Sequence, residues 1–131
     1  MNETITIPTS ARVSIEDITP HVEQIVRRSG IADGLCTVYV PHTTAGVIVN
    51  ENYDPDVKHD ILTALARLVP ASASYQHSEG NADAHIKASL VGNAVSIPIS
   101  GGRLAFGTWQ GVLFCEFDGP RTRRIIVHVG P

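Results

Sequence analysis

From Ala94 onward the sequence alternates apolar and polar residues in four short runs, VSIPI, RLAF, GVLFCEF and TRRIIVHV. A period of two sends successive side chains to opposite faces of a strand, whereas a helix requires apolar residues three and four apart. Turn residues interrupt the runs at Ser100-Gly101-Gly102 and at Asp118-Gly119-Pro120. Alternating runs separated by such turns predict antiparallel hairpins. Thr4 to Ile7, Leu35 to Val40 and Gly46 to Val49 add three more strands, the last two joined by the polar link Pro41-His42-Thr43-Thr44.

Three stretches break this period. Thr19-Pro20 is read as a helix cap followed by the one helical position that tolerates proline, with Val22, Ile25 and Val26 on one face and Gly30 as the stop. Asp54-Pro55-Asp56 repeats the signature and places acids in the first turn, where the helix dipole favours them. Val57, Ile61, Leu65 and Leu68 follow at helical spacing and Pro70 closes the segment, which makes it the clearest amphipathic helix in the chain. Asn81 is positioned to cap a third helix from about Ala82 to Leu90, with Gly92 beyond it. The fold class expected is α+β, with mostly antiparallel β-sheet layers, about three helices and two packed layers, in one domain spanning residues 1–131.

Composition narrows the function classes. Hydrophobic residues make up 43% and charged residues 18%, an ordinary globular balance. A net charge of -3 gives no electrostatic reason to expect nucleic acid. No apolar run approaches the ~18 residues of a membrane span, and MNETITIPTS lacks the basic and apolar regions of a signal peptide. The expectation is a cytoplasmic protein with no membrane or nucleic-acid partner. Cys36 and Cys115 lie inside apolar alternating runs, where a free thiol packs as a small hydrophobe.

Function is sought in the polar residues that strands and helices do not explain. Pro41-His42-Thr43-Thr44-Ala45 sits where a strand ends; it serves as a turn whose hydroxyls satisfy the backbone, or as part of a site. Asn50-Glu51-Asn52 places a carboxylate between two amides before a helix, and its expected location is the mouth of the same strand pair as His42. The densest segment is His77-Ser78-Glu79-Gly80-Asn81-Ala82-Asp83-Ala84-His85-Ile86-Lys87, whose polar groups are costly to bury and have no packing purpose. It lacks the i, i+4 histidine pair of a helical metalloprotease face. Folding could nevertheless bring His77 and His85 to one ion with His42 as the third ligand, leaving a position for water or substrate.

Other polar residues are assigned more ordinary roles. His21, His59 and His128 receive no site role, and Gly107-Thr108-Trp109-Gln110-Gly111, with the only tryptophan, reads as a subunit contact. Glu116, Asp118, Arg121, Arg123 and Arg124 surround the final turn and are expected to be solvated there. Arg121 is the exception, a fork-shaped donor suited to phosphate or carboxylate.

The stretches PHTTAGVIVNEN, DPDVKHDI, EGNADAHIKASLVG and GGRLAFGTWQGVLFCEFDGPRTRR together resemble the YjbQ family, small proteins commonly labelled secondary thiamine-phosphate synthases. The match runs from about Val40 to Arg124, and the N-terminal quarter carries little of it. The resemblance implies a homotrimeric α+β fold with a polar, metal-binding pocket near the subunit boundaries. It also implies a weak ability to join hydroxymethylpyrimidine diphosphate to thiazole phosphate.

Under that implication Glu51, Asp83 and His85 carry the catalysis, and His42, His77 and His85 hold a divalent metal, zinc or magnesium. Thr43, Thr44, Asn50, Asn81, Lys87 and Arg121 bind the small phosphorylated substrate. Magnesium prefers carboxylate and water oxygens while three imidazoles suit zinc, so this donor set counts against a dedicated diphosphate enzyme. The competing class is an oligomeric module that captures a phosphorylated or metal-chelating ligand without turnover.

Overall fold

The alternating runs resolve into two antiparallel sheets. The computed structural model describes residues 1–131 and contains, in chain order, β1 (Asn2–Pro8), β2 (Ser14–Asp17), α1 (Thr19–Ser29), β3 (Gly34–Tyr39), β4 (Ala45–Glu51), α2 (Pro55–Leu68), α3 (Ala82–Val91), β5 (Ala94–Ser100), β6 (Arg103–Leu104), β7 (Gln110–Glu116) and β8 (Thr122–Gly130). Five strands pair in the order β1-β8-β3-β5-β6 and three in the order β2-β7-β4. Every pairing is antiparallel, and the α+β class expected from the sequence is the class observed.

Two expected pairings are absent. β3 and β4 do not form a hairpin, and neither do β7 and β8; in each case the two strands belong to different sheets. The links at residues 41–44 and 118–121 therefore cross between sheets at the same end of the molecule. Alternation shows that a segment is a strand with one buried face, but it does not say which strand lies beside it. β5 and β6 do pair as expected across Gly101-Gly102, where both glycines have the positive φ that a tight hairpin turn requires.

The inner faces of the two sheets enclose the main core, which includes Cys36, Val38, Val47, Val112, Phe114, Ile125, Val127 and Val129. Helix α1 closes one side of it with Val22, Ile25 and Val26. Its end matches the sequence, since Gly30 adopts the left-handed conformation at φ 70°. Its start does not. Ile18 occupies the cap position, Asp17 accepts from the Thr19 N–H, and the Thr19 hydroxyl accepts instead from Val112 N–H on β7.

A third layer, not expected from the sequence, lies over the far face of the three-stranded sheet. There Ala84 and Ala88 of α3 meet Cys115 and Phe117, and Leu62 and Leu65 of α2 pack alongside. The strongly amphipathic α2 has no fully buried residue and leaves Leu68 74% exposed. The polar α3 instead buries Ala82, Asp83, Ala84, Lys87 and Ala88. Its small side chains allow close approach to β4, where Gly46 permits contact; a Cβ on Gly46 would lie 2.6 Å from the Gly92 carbonyl oxygen.

Both cysteines are buried and free. Burial pushes the Cys36 thiol up to about 11 and the Cys115 thiol up to about 12, so neither is a thiolate nucleophile at neutral pH.

Candidate functional site

The two crossing links and the first turns of α3 converge on one polar cavity of about 650 Å³. His42, Thr43 and Thr44 come from the β3–β4 link, Asn81 and His85 from α3, and Asp118 and Arg121 from the β7–β8 link. A second lobe of about 400 Å³ adjoins it and shares His42, Thr43, His85 and Asn93. Apart from the two imidazoles it is uncharged, bounded by Ala45, Ala88, Ser89 and Gly92. His42 and His85 thus stand between an ionic lobe and a neutral one.

The loop bearing His42 is fastened by the start of β8. The Arg124 N–H donates to His42 Nε2 at 2.9 Å, and Arg123 Nη2 donates to Thr44 Oγ1 at 2.9 Å. Burial, followed by the positive charges of Arg123 and Arg124, holds the His42 imidazole below its ordinary value. The ring is therefore neutral at pH 7. Because Nε2 accepts a hydrogen bond, the proton resides on Nδ1, the donor left for a ligand.

On the opposite wall Arg121 donates from Nε to the Asp118 carbonyl at 2.7 Å and from Nη2 to Asp118 Oδ2 at 3.0 Å. Asn81 Nδ2 donates to the same carboxylate oxygen at 2.9 Å. Burial alone would raise the Asp118 carboxyl, but the bonds from Asn81 and Arg121 and the charges of Arg121 and Arg12 outweigh it, holding the group below its usual range. Two of the three guanidinium nitrogens are thereby committed, and Nη1 remains for an anion. Asn81 occupies the cap position expected of it, but its side chain makes no capping bond. Its side chain is drawn to Asp118, leaving the backbone carbonyl to accept from Ala84 and His85 N–H, while its Oδ1 is buried without a partner in the chain.

Arg123, which lines the cavity, and its partner Glu116 are expected from the sequence to be solvated, and both are buried instead. Glu116 is fully buried and Arg123 is 4% exposed. Arg123 Nε donates to both Glu116 oxygens, at 2.9 and 3.1 Å, and the Thr9 hydroxyl donates to Glu116 Oε1 at 2.6 Å. Burial would raise the Glu116 carboxyl, but the bonds from Arg123, Thr9 and the Asp118 N–H and the Arg123 charge hold it below its usual range. A signal for the pair was present in the alternation: Glu116 is in phase with Val112 and Phe114, and Arg123 with Ile125 and Val127.

The remaining expected site residues separate into three groups. Asp83 and Lys87 are both buried and bond to each other at 3.0 Å, with Arg12 contributing a second bond to Asp83 at 3.3 Å. Neither lines the histidine cavity. Burial would raise Asp83, but Lys87, Arg12 and the Ala84 N–H hold it low. Asn50 and Glu51 lie at the wrong end of β4; six residues beyond Ala45 at about 3.3 Å per residue set Glu51 roughly 20 Å from the cavity. His77 reaches His85, with ring centroids 5.1 Å apart, but stays outside the cavity and approaches Glu79 at 3.6 Å.

The donor set does not fit the implied metal within one chain. No group of three or more His, Cys, Asp or Glu side chains is placed to hold an ion. The His42 lone pair is already taken by the Arg124 N–H, so the expected set of His42, His77 and His85 is not formed.

A two-sheet α+β sandwich with a two-lobed polar cavity where both inter-sheet links meet α3 defines a small globular domain class, and no helix in it is long and apolar enough to cross a membrane. The chain belongs to the YjbQ family: the family model described as UPF0047 protein YjbQ-like matches residues 3–131. It is 50% identical over 123 residues to a UPF0047 protein of Methanocaldococcus jannaschii, covering 94% of this chain and 89% of that one. It is 48% identical over 124 residues to the UPF0047 protein YugU of Bacillus subtilis, covering 94% of each. Among solved structures, an uncharacterized YjbQ/UPF0047 family protein of Clostridium acetobutylicum matches with a TM-score of 0.96 at 48% identity over 98% of this chain and 99% of that one. A YjbQ-like protein of unknown function from Sulfolobus solfataricus matches at 0.95 and 37% identity, over 98% and 95%. The names of these relatives carry no reaction.

Proposed function

We propose that the two-lobed cavity binds a small phosphorylated substrate and transfers a carbon group from it to the neutral ring nitrogen of a second partner. The observation that carries this reading is the position of His42 and His85 between the ionic lobe with Arg121 and the neutral lobe. Thiamine phosphate formation is the reaction of this class that the family resemblance implies. In it the bond between the pyrimidine methylene carbon and the diphosphate oxygen breaks, and diphosphate leaves with the electron pair. The thiazole nitrogen then supplies its lone pair to that carbon.

Arg121 and the His42 Nδ1–H would meet the charge developing on the departing diphosphate, a role for donors fixed in place before reaction. His85 would donate a proton to the leaving oxygen. Thr43 lines both lobes and would orient the substrate between them, whereas Thr44, Asp83, Lys87 and the Glu116–Arg123 pair hold the walls.

The test combines calorimetric titration with inorganic diphosphate and a synthase assay on purified protein. Wild type is expected to bind diphosphate, His85→Ala to bind it and lose turnover, and Arg121→Ala to lose binding. Turnover unaffected by His42→Ala, His85→Ala and Arg121→Ala would sink the enzyme reading. Diphosphate binding with no turnover in wild type would leave the non-catalytic binding module.

The homotrimer belongs to the same proposal. Leu35 and Tyr39 remain 45% and 43% exposed on the outer face of the five-stranded sheet, and Tyr39 also lines the cavity. Sedimentation equilibrium at the monomer mass would exclude it.

A further inference from the structure

Two segments singled out in the sequence find no place in the histidine cavity, and they meet each other at the far end of β4. Glu51 ends that strand and Tyr53 follows it, Asp54 and Pro55 open α2, and Trp109 precedes β7; together they line a cleft of about 420 Å³. The Tyr53 and Trp109 rings lie 5.4 Å apart at a tilt of 59°. Tyr53 is 78% and Trp109 55% exposed, so most of the burial energy of two large aromatics is forgone.

The loop that holds Trp109 is fixed. The Asn52 N–H donates to the Trp109 carbonyl at 2.8 Å, and the Gly107 N–H donates to Gln110 Oε1 at 2.8 Å. Gly111 completes the arrangement, since a Cβ there would lie 2.8 Å from the Asn52 side chain. The indole is thus presented to solvent by an ordered backbone. No lysine or arginine lines the cleft, whereas Glu51 and Asp54 both do.

We propose that this cleft binds an organic ammonium group, held between the faces of Tyr53 and Trp109 and the carboxylates of Glu51 and Asp54. Aromatic faces present negative charge, and cations seat on them within about 6 Å of the ring centre. The N-terminal end of α2 opposes a cation with roughly half a unit of positive charge. Asp54 caps that end by accepting the Asp56 N–H at 2.9 Å, and Asp56 adds a further acid in the first turn. Two full carboxylates on the cleft exceed the dipole, so the local field favours a cation. Glu51, placed by its sequence context among catalytic residues, becomes a cation-binding residue roughly 20 Å from the histidines.

Trp109 is the only tryptophan, so its fluorescence reports on this cleft alone. The intact protein is titrated with tetramethylammonium chloride at ionic strength held constant with sodium chloride, and in parallel with neopentyl alcohol, a neutral molecule of similar shape. The expected result is a saturable fluorescence change with the ammonium salt that the alcohol does not reproduce. Tyr53→Ala, at a solvent-exposed position, weakens the ammonium affinity roughly threefold to fivefold. Glu51→Gln weakens it and flattens its dependence on salt. An equal response to the alcohol, the absence of any saturable change, or a change that follows protein concentration alone would each overturn the proposal. The last of these would make the cleft a contact between copies of the chain.

Discussion

Arg123 reaches from the inner face of the five-stranded sheet to Glu116 on the three-stranded sheet, donating from Nε at 2.9 and 3.1 Å. The pair lies at the end of the inter-sheet core nearest the cavity, and the same guanidinium holds Thr44. Removing one partner leaves a buried charge uncompensated. Arg123→Met or Glu116→Gln is expected to cost about 3–5 kcal/mol, read as a lowered urea midpoint, while Arg123→Met with Glu116→Leu recovers most of it. If the double variant is no more stable than either single variant, the pair is not the source of the loss.

Lys87 and Arg121 were both candidates for phosphate binding, and the structure separates them. Lys87→Met leaves buried Asp83 with Arg12 alone and is expected to lower stability by about 3 kcal/mol. Arg121→Ala removes a surface pair worth within about 1 kcal/mol, but lowers diphosphate affinity roughly tenfold or more. Thermal unfolding and calorimetric titration of both variants check the contrast; tight diphosphate binding by Arg121→Ala would refute the assignment.

The pH dependence has two parts. Asp17, Asp83, Glu116 and Asp118 are all held below their ordinary values in the folded chain. Their contribution is fully present above the unfolded carboxylate values near ~4, and is lost as pH falls through the lower folded values. His42 is also depressed. Below its unfolded value of about 6.5 the unfolded chain takes up a proton that the folded chain does not, so stability already begins to fall there. Urea midpoints measured against pH should show this early shoulder in wild type and a smaller one in His42→Gln. An unchanged shoulder would assign it to another group.

Gly46 sets how closely α3 approaches β4. In Gly46→Ala the new Cβ meets the Gly92 carbonyl oxygen at 2.6 Å and the Val91 side chain at 3.0 Å. The expected cost is about 1–3 kcal/mol, together with weaker diphosphate binding as His85 shifts away from His42. Wild-type stability and binding in this variant would show that the two elements adjust freely.

Seven of the eight strands, the cap of α2, the end of α1 and the antiparallel class were legible because they depend on local periods and caps. β5–β6 follows from its two glycines, and α1 ends at Gly30 as its sequence requires. Convergence of His42, His85 and Arg121 on one cavity agrees with the residues singled out in the chain. Glu51 was misplaced because its nearness to His42 along the chain hides the length of β4, which carries it to the opposite end of the molecule.

What the sequence determined by itself is the set of elements except the short β2, the two buried thiols and which polar segments need an explanation beyond packing. The tertiary structure alone decided that β3 and β4, and likewise β7 and β8, part into separate sheets, bringing their links together beside α3. It also decided that the polar α3 is more deeply buried than the amphipathic α2, because Lys87 and Arg12 compensate Asp83 and Gly46 admits the helix to the sheet. Periodicity is a property of neighbours along the chain, whereas sheet membership and charge compensation depend on residues far apart in it, such as Glu116 with Thr9 or Asp83 with Arg12.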